Sequence, residues 1–426
     1  MKSSSVPGQS RLDLKAVFFG SLASAFEWYD YALFGYFAAI IGKLFFPSED
    51  PLTSLLSSFA VFASGFAMRP LGAIWFGYIG DRMGRSKALT ISLVMMAVPT
   101  TLLGLLPTYD RIGIWASFGL VFMRLLQGFA VGGNYGGSFI FTIEHAPSHQ
   151  KGLAGSLAMF GTLGGLFMGS GVAALLGNLL TPETLHSIGW RIPFLFGSLS
   201  AVLGYVINKR IPESQWQNKT ERNHRQLPVQ NVWNNYRLAV IKCIGIVLLD
   251  GIGVYILFVF MTTYATVFLH LSESKVLLVN TACMLSLVVM IPAFGWLGDR
   301  ISQRTLLKWV SMCFILFSIP LFSLLVYKPC MRTLLLLQAS FAIVVSGAYG
   351  ALPAAVVNSF PRSVRYTACG LAFNISVAVF GGTSPFIVTG LIHLTGSLMV
   401  PAIVLTIVGG ISFLSAHTMR RSYLNE

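Results

Sequence analysis

Five ionisable side chains sit inside long apolar stretches of this chain: Glu27, Asp30, Arg69, Arg124 and Asp250. A charge at bilayer depth costs several kcal/mol on most scales, so each of them implies a task. Glu27 and Asp30 are three residues apart and share one helix face. Two carboxylates that close, in a medium of low dielectric, do not both ionise easily. One of them is then suited to gain and lose a proton near neutral pH. Arg124 is the natural counter-charge, because a buried guanidinium can hold a carboxylate through two hydrogen bonds. That carboxylate could be the protein's own or a ligand's. A permanent buried ion pair that fixes helix packing is the structural alternative. Asp250 reads either as a second proton or cation site or as an interfacial residue paired with Lys242 or with a neighbouring helix. Arg69, just ahead of Pro70, is expected to snorkel or to pair at a gate rather than to touch a ligand.

A second constellation occurs twice. Gly77-Tyr-Ile-Gly-Asp81-Arg82 is followed by Arg85, and Gly295-Trp-Leu-Gly-Asp299-Arg300 by Arg304. Glycines let helix ends approach closely. The Asp can accept hydrogen bonds from a neighbouring helix N-terminus or from the loop arginines. Asp81, Arg82, Arg85, Asp299, Arg300 and Arg304 are therefore expected to form a latch at one membrane face, with Glu144 a partner for Arg82 or Arg85. Polar and aromatic residues that could line a cavity are Tyr31, Gln127, Asn134, Tyr135, Tyr255 and Asn374, with Tyr29, Tyr264 and Ser384 beside them.

The elements that must carry these groups follow from composition. Of 426 residues, 55% are hydrophobic and only 10% charged, against about 25% charged in ordinary globular chains. A soluble enzyme, a nucleic-acid-binding module and a disulfide scaffold are excluded. Apolar runs of spanning length fall near 16–42, 54–79, 88–107, 113–142, 153–179, 190–208, 239–269, 277–297, 306–326, 333–356, 366–392 and 397–418. The chain is thus expected to be an all-α polytopic membrane protein with twelve transmembrane helices. The basic stretch 209–238 is read as a cytoplasmic central loop between two six-helix halves, 1–208 and 239–426. With both termini inside, 21 Lys and Arg fall on the inner side and six on the outer, the asymmetry that sets orientation in membranes. The first apolar run contains Glu27 and Asp30 and lacks a small-residue cleavage site, so it is read as a retained helix rather than a signal peptide.

The five cysteines are scattered with no metal-ligand spacing, and read as small apolar fillers. No phosphate-binding G-x-x-x-x-G-K-[ST], HExxH or G-x-S-x-G motif occurs. Neither ATP drive, nor an organic cofactor, nor a metal, nor enzymatic chemistry is expected.

The paired loops resemble the signature of the major facilitator superfamily. Further runs narrow the resemblance to its metabolite:proton symporters: Glu27-Trp-Tyr-Asp30-Tyr, Arg69-Pro-Leu-Gly, Arg124-Leu-Leu-Gln-Gly-Phe, Gly132-Gly-Asn-Tyr-Gly-Gly, Trp190-Arg-Ile-Pro-Phe, Ile211-Pro-Glu-Ser, Phe360-Pro-Arg-Ser-Val-Arg-Tyr and Phe380-Gly-Gly-Thr-Ser-Pro. That family includes proline/betaine, α-ketoglutarate, citrate and shikimate transporters. Two positions depart from its pattern: Asn134 stands where the family has Glu, and Ala23-Ser24 where it has Gly-Asn. The chain ends a few residues past the last apolar run, so osmotic gating by a C-terminal coiled coil, as in some relatives, is not expected.

The resemblance implies a major facilitator fold in the cell's inner membrane, working as a monomer with the lipid bilayer and a small molecule as its partners. The expected activity is proton-coupled import of a small carboxylate or zwitterion by alternating access. In that scheme Glu27, Asp30 and Asp250 handle the proton, and Arg124, Tyr31, Gln127, Asn134, Tyr135, Tyr255 and Asn374 meet the substrate. Protonation of Asp30 or Glu27 frees Arg124 for a substrate carboxylate. Metabolite exchange or proton-driven export is the second reading, and a non-transporting membrane sensor the third.

Overall fold

A computed structural model describes residues 14–72, 75, 76, 79, 85–132, 140, 143, 146–199, 201, 202, 228–361 and 364–419. All regular structure among them is helical. The first half contains α1 (Leu14–Tyr36), α2 (Ala38–Phe45), α3 (Pro51–Ala67), α4 (Arg85–Leu105), α5 (Ile114–Val131), α6 (Lys151–Leu179) and the short α7 (Arg191–Leu195). The second contains α8 (Pro228–Leu248), α9 (Glu273–Ile301), α10 (Gln303–Tyr327), α11 (Met331–Val357), α12 (Arg365–Asn374), α13 (Ser384–Thr395) and α14 (Val400–Thr418). Among the described residues, nine helices are long and apolar enough to cross a membrane. The expected third span holds a shorter apolar helix, Thr90–Leu105. The sixth, expected at 190–208, is described only in part. Helix α8 begins at Pro228, inside the stretch read as central loop.

Helix α5 shows how the sequence is patterned. Trp115, Phe118 and Phe122 are exposed on one side, while Ser117, Leu120, Arg124 and Gln127 are buried on the other. An apolar exterior around a polar seam inverts the soluble pattern and suits a lipid surround. Helix ends follow ordinary rules. Asp50 caps α3, accepting from the backbone N–H groups of Leu52 and Thr53 and from the Thr53 hydroxyl. Those bonds, the Thr53 hydroxyl's first, hold its carboxyl below the usual carboxylate range.

Two helices depart from regular α geometry where the site lies. Helix α8 runs on into a wide-turn, π-helical stretch, Leu249–Phe260, that is buried throughout and carries Asp250 and Tyr255. A second such stretch, Ile375–Gly381, follows α12. They pack on each other at Gly251, where a Cβ would lie 2.9 Å from the Ser376 carbonyl oxygen. Widened turns of this kind concentrate at functional sites.

Glycine-rich helices close the first half. A Cβ on Gly165 of α6 would sit 2.1 Å from the Ala25 carbonyl oxygen of α1, whereas one on Gly164 would meet nothing within 4 Å. Gly165→Ala is therefore expected to push α6 off α1 and to lower the thermal unfolding midpoint of the detergent-purified protein, at a cost of about 1–3 kcal/mol for overpacking. Gly164→Ala should leave the midpoint unchanged or raise it slightly. Equal midpoints for the two variants would contradict this packing.

The halves meet along α6 and α9, which run antiparallel. Each has 29 residues, about 43 Å at 1.5 Å per residue, so their ends project beyond a ~30 Å hydrocarbon layer.

Candidate functional site

Asp30 lies on the buried face of α1, 2% exposed. Its Oδ2 accepts from the Thr100 hydroxyl of α4 at 2.8 Å. That hydroxyl oxygen accepts from Gln127 Nε2 at 2.7 Å, and Gln127 Oε1 accepts from Arg124 Nη1 at 2.9 Å. Because a guanidinium only donates, Gln127 must turn its oxygen to Arg124 and its nitrogen to Thr100. Acid and guanidinium are thus joined through two neutral side chains on α4 and α5. The sequence leaves a direct pair of Arg124 with Asp30 as one alternative, and in the structure Thr100 and Gln127 stand between them. Arg124 and Gln127 are adjacent because i and i+3 share a helix face.

Arg124 is fully buried. With Nη1 committed to Gln127, its Nε and Nη2 have no hydrogen-bond partner among the described residues. These two N–H groups form the side-on edge of the guanidinium, the geometry that takes a carboxylate with two parallel bonds. Gly65 of α3 lies beside that edge, where a Cβ would come 3.7 Å from both nitrogens. The Tyr31 and Tyr255 hydroxyls are likewise buried without a partner among the described residues. Leaving buried donors unpaired costs about 1–3 kcal/mol each, so four such atoms in one region point to a polar ligand.

Aromatic rings surround these atoms. The Arg124 guanidinium carbon stands 4.6 Å over the Tyr31 ring, 4.5 Å over Phe34 and 5.4 Å over Phe62. Arg69 is equally buried, at 4.7 Å over Tyr31, 4.3 Å over Phe66 and 5.4 Å over Trp28. Arg69 therefore does not snorkel: the aromatic faces of α1 and α3 hold it inside, where cation–π attraction offsets part of its lost hydration. Tyr255 closes the cage from the second half, its ring 6.3 Å from Trp28, 5.8 Å from Phe62 and 5.8 Å from Phe66.

Asp250, also buried, accepts a hydrogen bond from the Tyr349 hydroxyl of α11 and lies within electrostatic reach of Arg69. Its expected interfacial partner, Lys242, is engaged elsewhere, donating to the Thr418 carbonyl at 2.7 Å. Asn374 donates to Gly370 in its own helix at 3.0 Å. Of the three further candidate lining residues, the Tyr264 hydroxyl bonds the Leu398 carbonyl at 2.7 Å and Ser384 the Gly381 carbonyl at 2.8 Å, while Tyr29 is buried beside Asp30.

The seam between the halves is held at both ends. At one, Asp299 of α9 accepts from the backbone N–H groups of Gly152 and Leu153, the first turn of α6, at 2.6 and 2.9 Å. This is the helix N-terminus contact anticipated for the repeated Asp. Its neighbours do other work. Arg300 stacks 3.8 Å over Trp296, and Arg304 donates to the Ala416 and His417 carbonyls at the end of α14. At the other end, Asn280 of α9 donates to Ser170 at 2.9 Å and to the Tyr36 hydroxyl at 3.3 Å, and accepts from Gln338 at 2.7 Å. Asp81, Arg82, Asn134, Tyr135 and Glu144 lie outside the described residues, as do the side chains of Glu27 and Arg85.

The chain matches the Major Facilitator Superfamily profile over residues 17–385. It is 32% identical over 419 residues to the proline/betaine transporter of Escherichia coli (strain K12), covering 96% of this chain and 83% of that one. It is 30% identical to the glycine betaine/proline/ectoine/pipecolic acid transporter OusA of Dickeya dadantii (strain 3937), with the same coverage. Among solved structures, the proton:xylose symporter XylE bound to 6-bromo-6-deoxy-D-glucose superposes with a TM-score of 0.76 at 16% identity, over 97% of this chain and 96% of that one.

Proposed function

The chain belongs to the Major Facilitator Superfamily, and from that premise we propose that it imports a small zwitterionic metabolite of the proline or glycine betaine class together with a proton. It is a multi-pass membrane transporter of small molecules, not an enzyme. The observation that carries the reading is the side-on edge of Arg124, unpartnered among the described residues, set in an aromatic cage that both halves build and tied through Gln127 and Thr100 to Asp30.

In this reading the substrate carboxylate docks on Nε and Nη2 of Arg124, and the Tyr31 and Tyr255 hydroxyls donate to its oxygens. The cationic end lies over the ring faces of the cage. Among the described residues two arginines and two aspartates share the site, so a proton on Asp30 leaves one positive charge in excess, which favours the carboxylate end of a zwitterion at Arg124. Loss of that proton inside draws Arg124 back toward Asp30 and releases the substrate. The seam opens at one end at a time, with Asp299 and α6 closing the cytoplasmic side and Asn280 and its partners the outer side. The Lys and Arg asymmetry supports cytoplasmic termini in the inner membrane, and in this reading one chain works as a monomer.

The test is uptake into proteoliposomes of the purified protein under an imposed pH gradient, with proline, glycine betaine, dicarboxylates and shikimate offered separately. Concentrative uptake of a zwitterion that collapses with a protonophore is the expected result. Concentrative uptake of dicarboxylates alone would overturn the substrate class. Transport driven only by a metabolite on the opposite side would overturn proton coupling.

A further inference from the structure

The Thr100 hydroxyl has one hydrogen and two acceptors in reach: Asp30 Oδ2 at 2.8 Å and, one helical turn back, the Met96 carbonyl at 2.9 Å. Its oxygen meanwhile accepts from Gln127. The side chain itself is held in place. A Cβ on Gly197, in the stretch after α7, would fall 2.3 Å from the Thr100 methyl and 2.7 Å from its Cβ, so the backbone of Gly197 packs directly on Thr100. A β-branched side chain so confined keeps one χ1. The oxygen then stays fixed and only the hydroxyl proton turns.

We propose that Thr100 is the positioning residue that reports the protonation state of Asp30 to Arg124, by swinging its hydroxyl proton between Asp30 and the Met96 carbonyl. When Asp30 is ionised, every donor points one way: Arg124 to Gln127, Gln127 to Thr100, Thr100 to the carboxylate. Such a chain, running from a cation to an anion, strengthens along its length and ties Arg124 to Gln127. When Asp30 takes a proton from water, it donates to the Thr100 oxygen, and the hydroxyl proton turns to Met96. Thr100 then accepts twice and donates once, which its two lone pairs allow. The chain no longer ends on a charge, its pull on Arg124 weakens, and the Nε and Nη2 edge is freer to follow a substrate. Among the described side chains, the charged or titratable groups coupled to Asp30 are Arg124 on α5 and, on its own helix, Tyr29. This inference rests on the proton-coupling reading above and adds the route by which the proton is felt.

Thr100→Val keeps the shape against Gly197 and removes the hydroxyl, whereas Thr100→Ser keeps the hydroxyl. Two measurements separate the switch from simple packing. The first needs no substrate: acid-minus-alkaline infrared difference spectra of the purified protein, with the Asp30 carboxyl band identified by its loss in Asp30→Asn. Thr100→Val is expected to move that band and Thr100→Ser to restore it. The second is transport of proline and glycine betaine in proteoliposomes. Thr100→Val is expected to exchange substrate within roughly fivefold of the unaltered protein, the scale of one hydrogen bond, while its accumulation under a pH gradient falls to near equality across the membrane. A band unmoved in Thr100→Val, no band lost in Asp30→Asn, or accumulation and exchange falling together would each overturn the proposal. If the unaltered protein accumulates neither zwitterion, the function reading fails, and the infrared result still decides the role of Thr100.

Discussion

Arg124→Lys is expected to lose most substrate transport while the protein still folds. Lysine reaches the same region and keeps the charge, and its ammonium can still donate to Gln127 in place of Nη1. What it lacks is the flat edge of Nε and Nη2, which lies beside Gly65 with no hydrogen-bond partner among the described residues. A point charge engaged by Gln127 cannot also hold a carboxylate through two parallel bonds. A hydrogen bond to a charged group is worth about 1.5–3 kcal/mol, so losing one arm of the fork should weaken binding about 10- to 100-fold. The loss should appear in the apparent Kd for proline or glycine betaine and in uptake rate at low substrate. Unchanged transport in Arg124→Lys would remove this residue from the binding scheme.

The reach of the sequence can be traced residue by residue. Asp30, Arg124 and Gln127 were legible because charge and amide inside apolar runs are costly, and cost marks position. Asp299 was legible because its loop occurs twice. Arg69 is buried where its sequence context suggests snorkelling: hydropathy gives the depth of a residue but not the side it faces, and a basic residue ahead of Pro70 near a helix end has the look of one that reaches for water. Phe66, which with Trp28 and Tyr31 holds it inside, is an ordinary apolar residue until the fold turns its face to a guanidinium. Thr100 carried no signal at all. A threonine in an apolar helix usually bonds its own helix backbone, as Thr100 also does to Met96. Only the crossing of α1, α4 and α5 gives its hydroxyl a second acceptor. A four-residue chain stands in place of the ion pair that was one alternative, for the same reason: spacing along one helix predicts shared faces, but the distance between helices is set by packing.

The difference between an ion pair and a chain decides what Asp30→Asn should do. Asparagine is close to the shape of a protonated aspartic acid, and its Oδ1 can still accept from Thr100, so the contact at 2.8 Å survives. It cannot ionise. The chain from Arg124 then never ends on a negative charge, and Arg124 is as available at high pH as at low. Substrate should still bind and cross, since none of the atoms proposed to hold it is altered. What disappears is the tie to the gradient. An inward gradient of one pH unit supplies about 1.4 kcal/mol per proton, enough for roughly tenfold accumulation. The unaltered transporter should approach that ratio, while Asp30→Asn should stop near equal concentrations inside and out, with counterflow exchange largely retained and no longer steeply dependent on pH. A permanent ion pair whose task is helix packing predicts something else: a variant that fails to accumulate as folded protein, with exchange and uptake lost together. Because the hydrogen bonds among the described residues join Asp30 to Arg124 through Thr100 and Gln127, neutralising it strips no guanidinium of a direct hydrogen-bond partner, and the folded protein should persist. Full concentrative uptake by Asp30→Asn would show that the coupling proton is carried elsewhere, with Asp250 and Glu27 next in line.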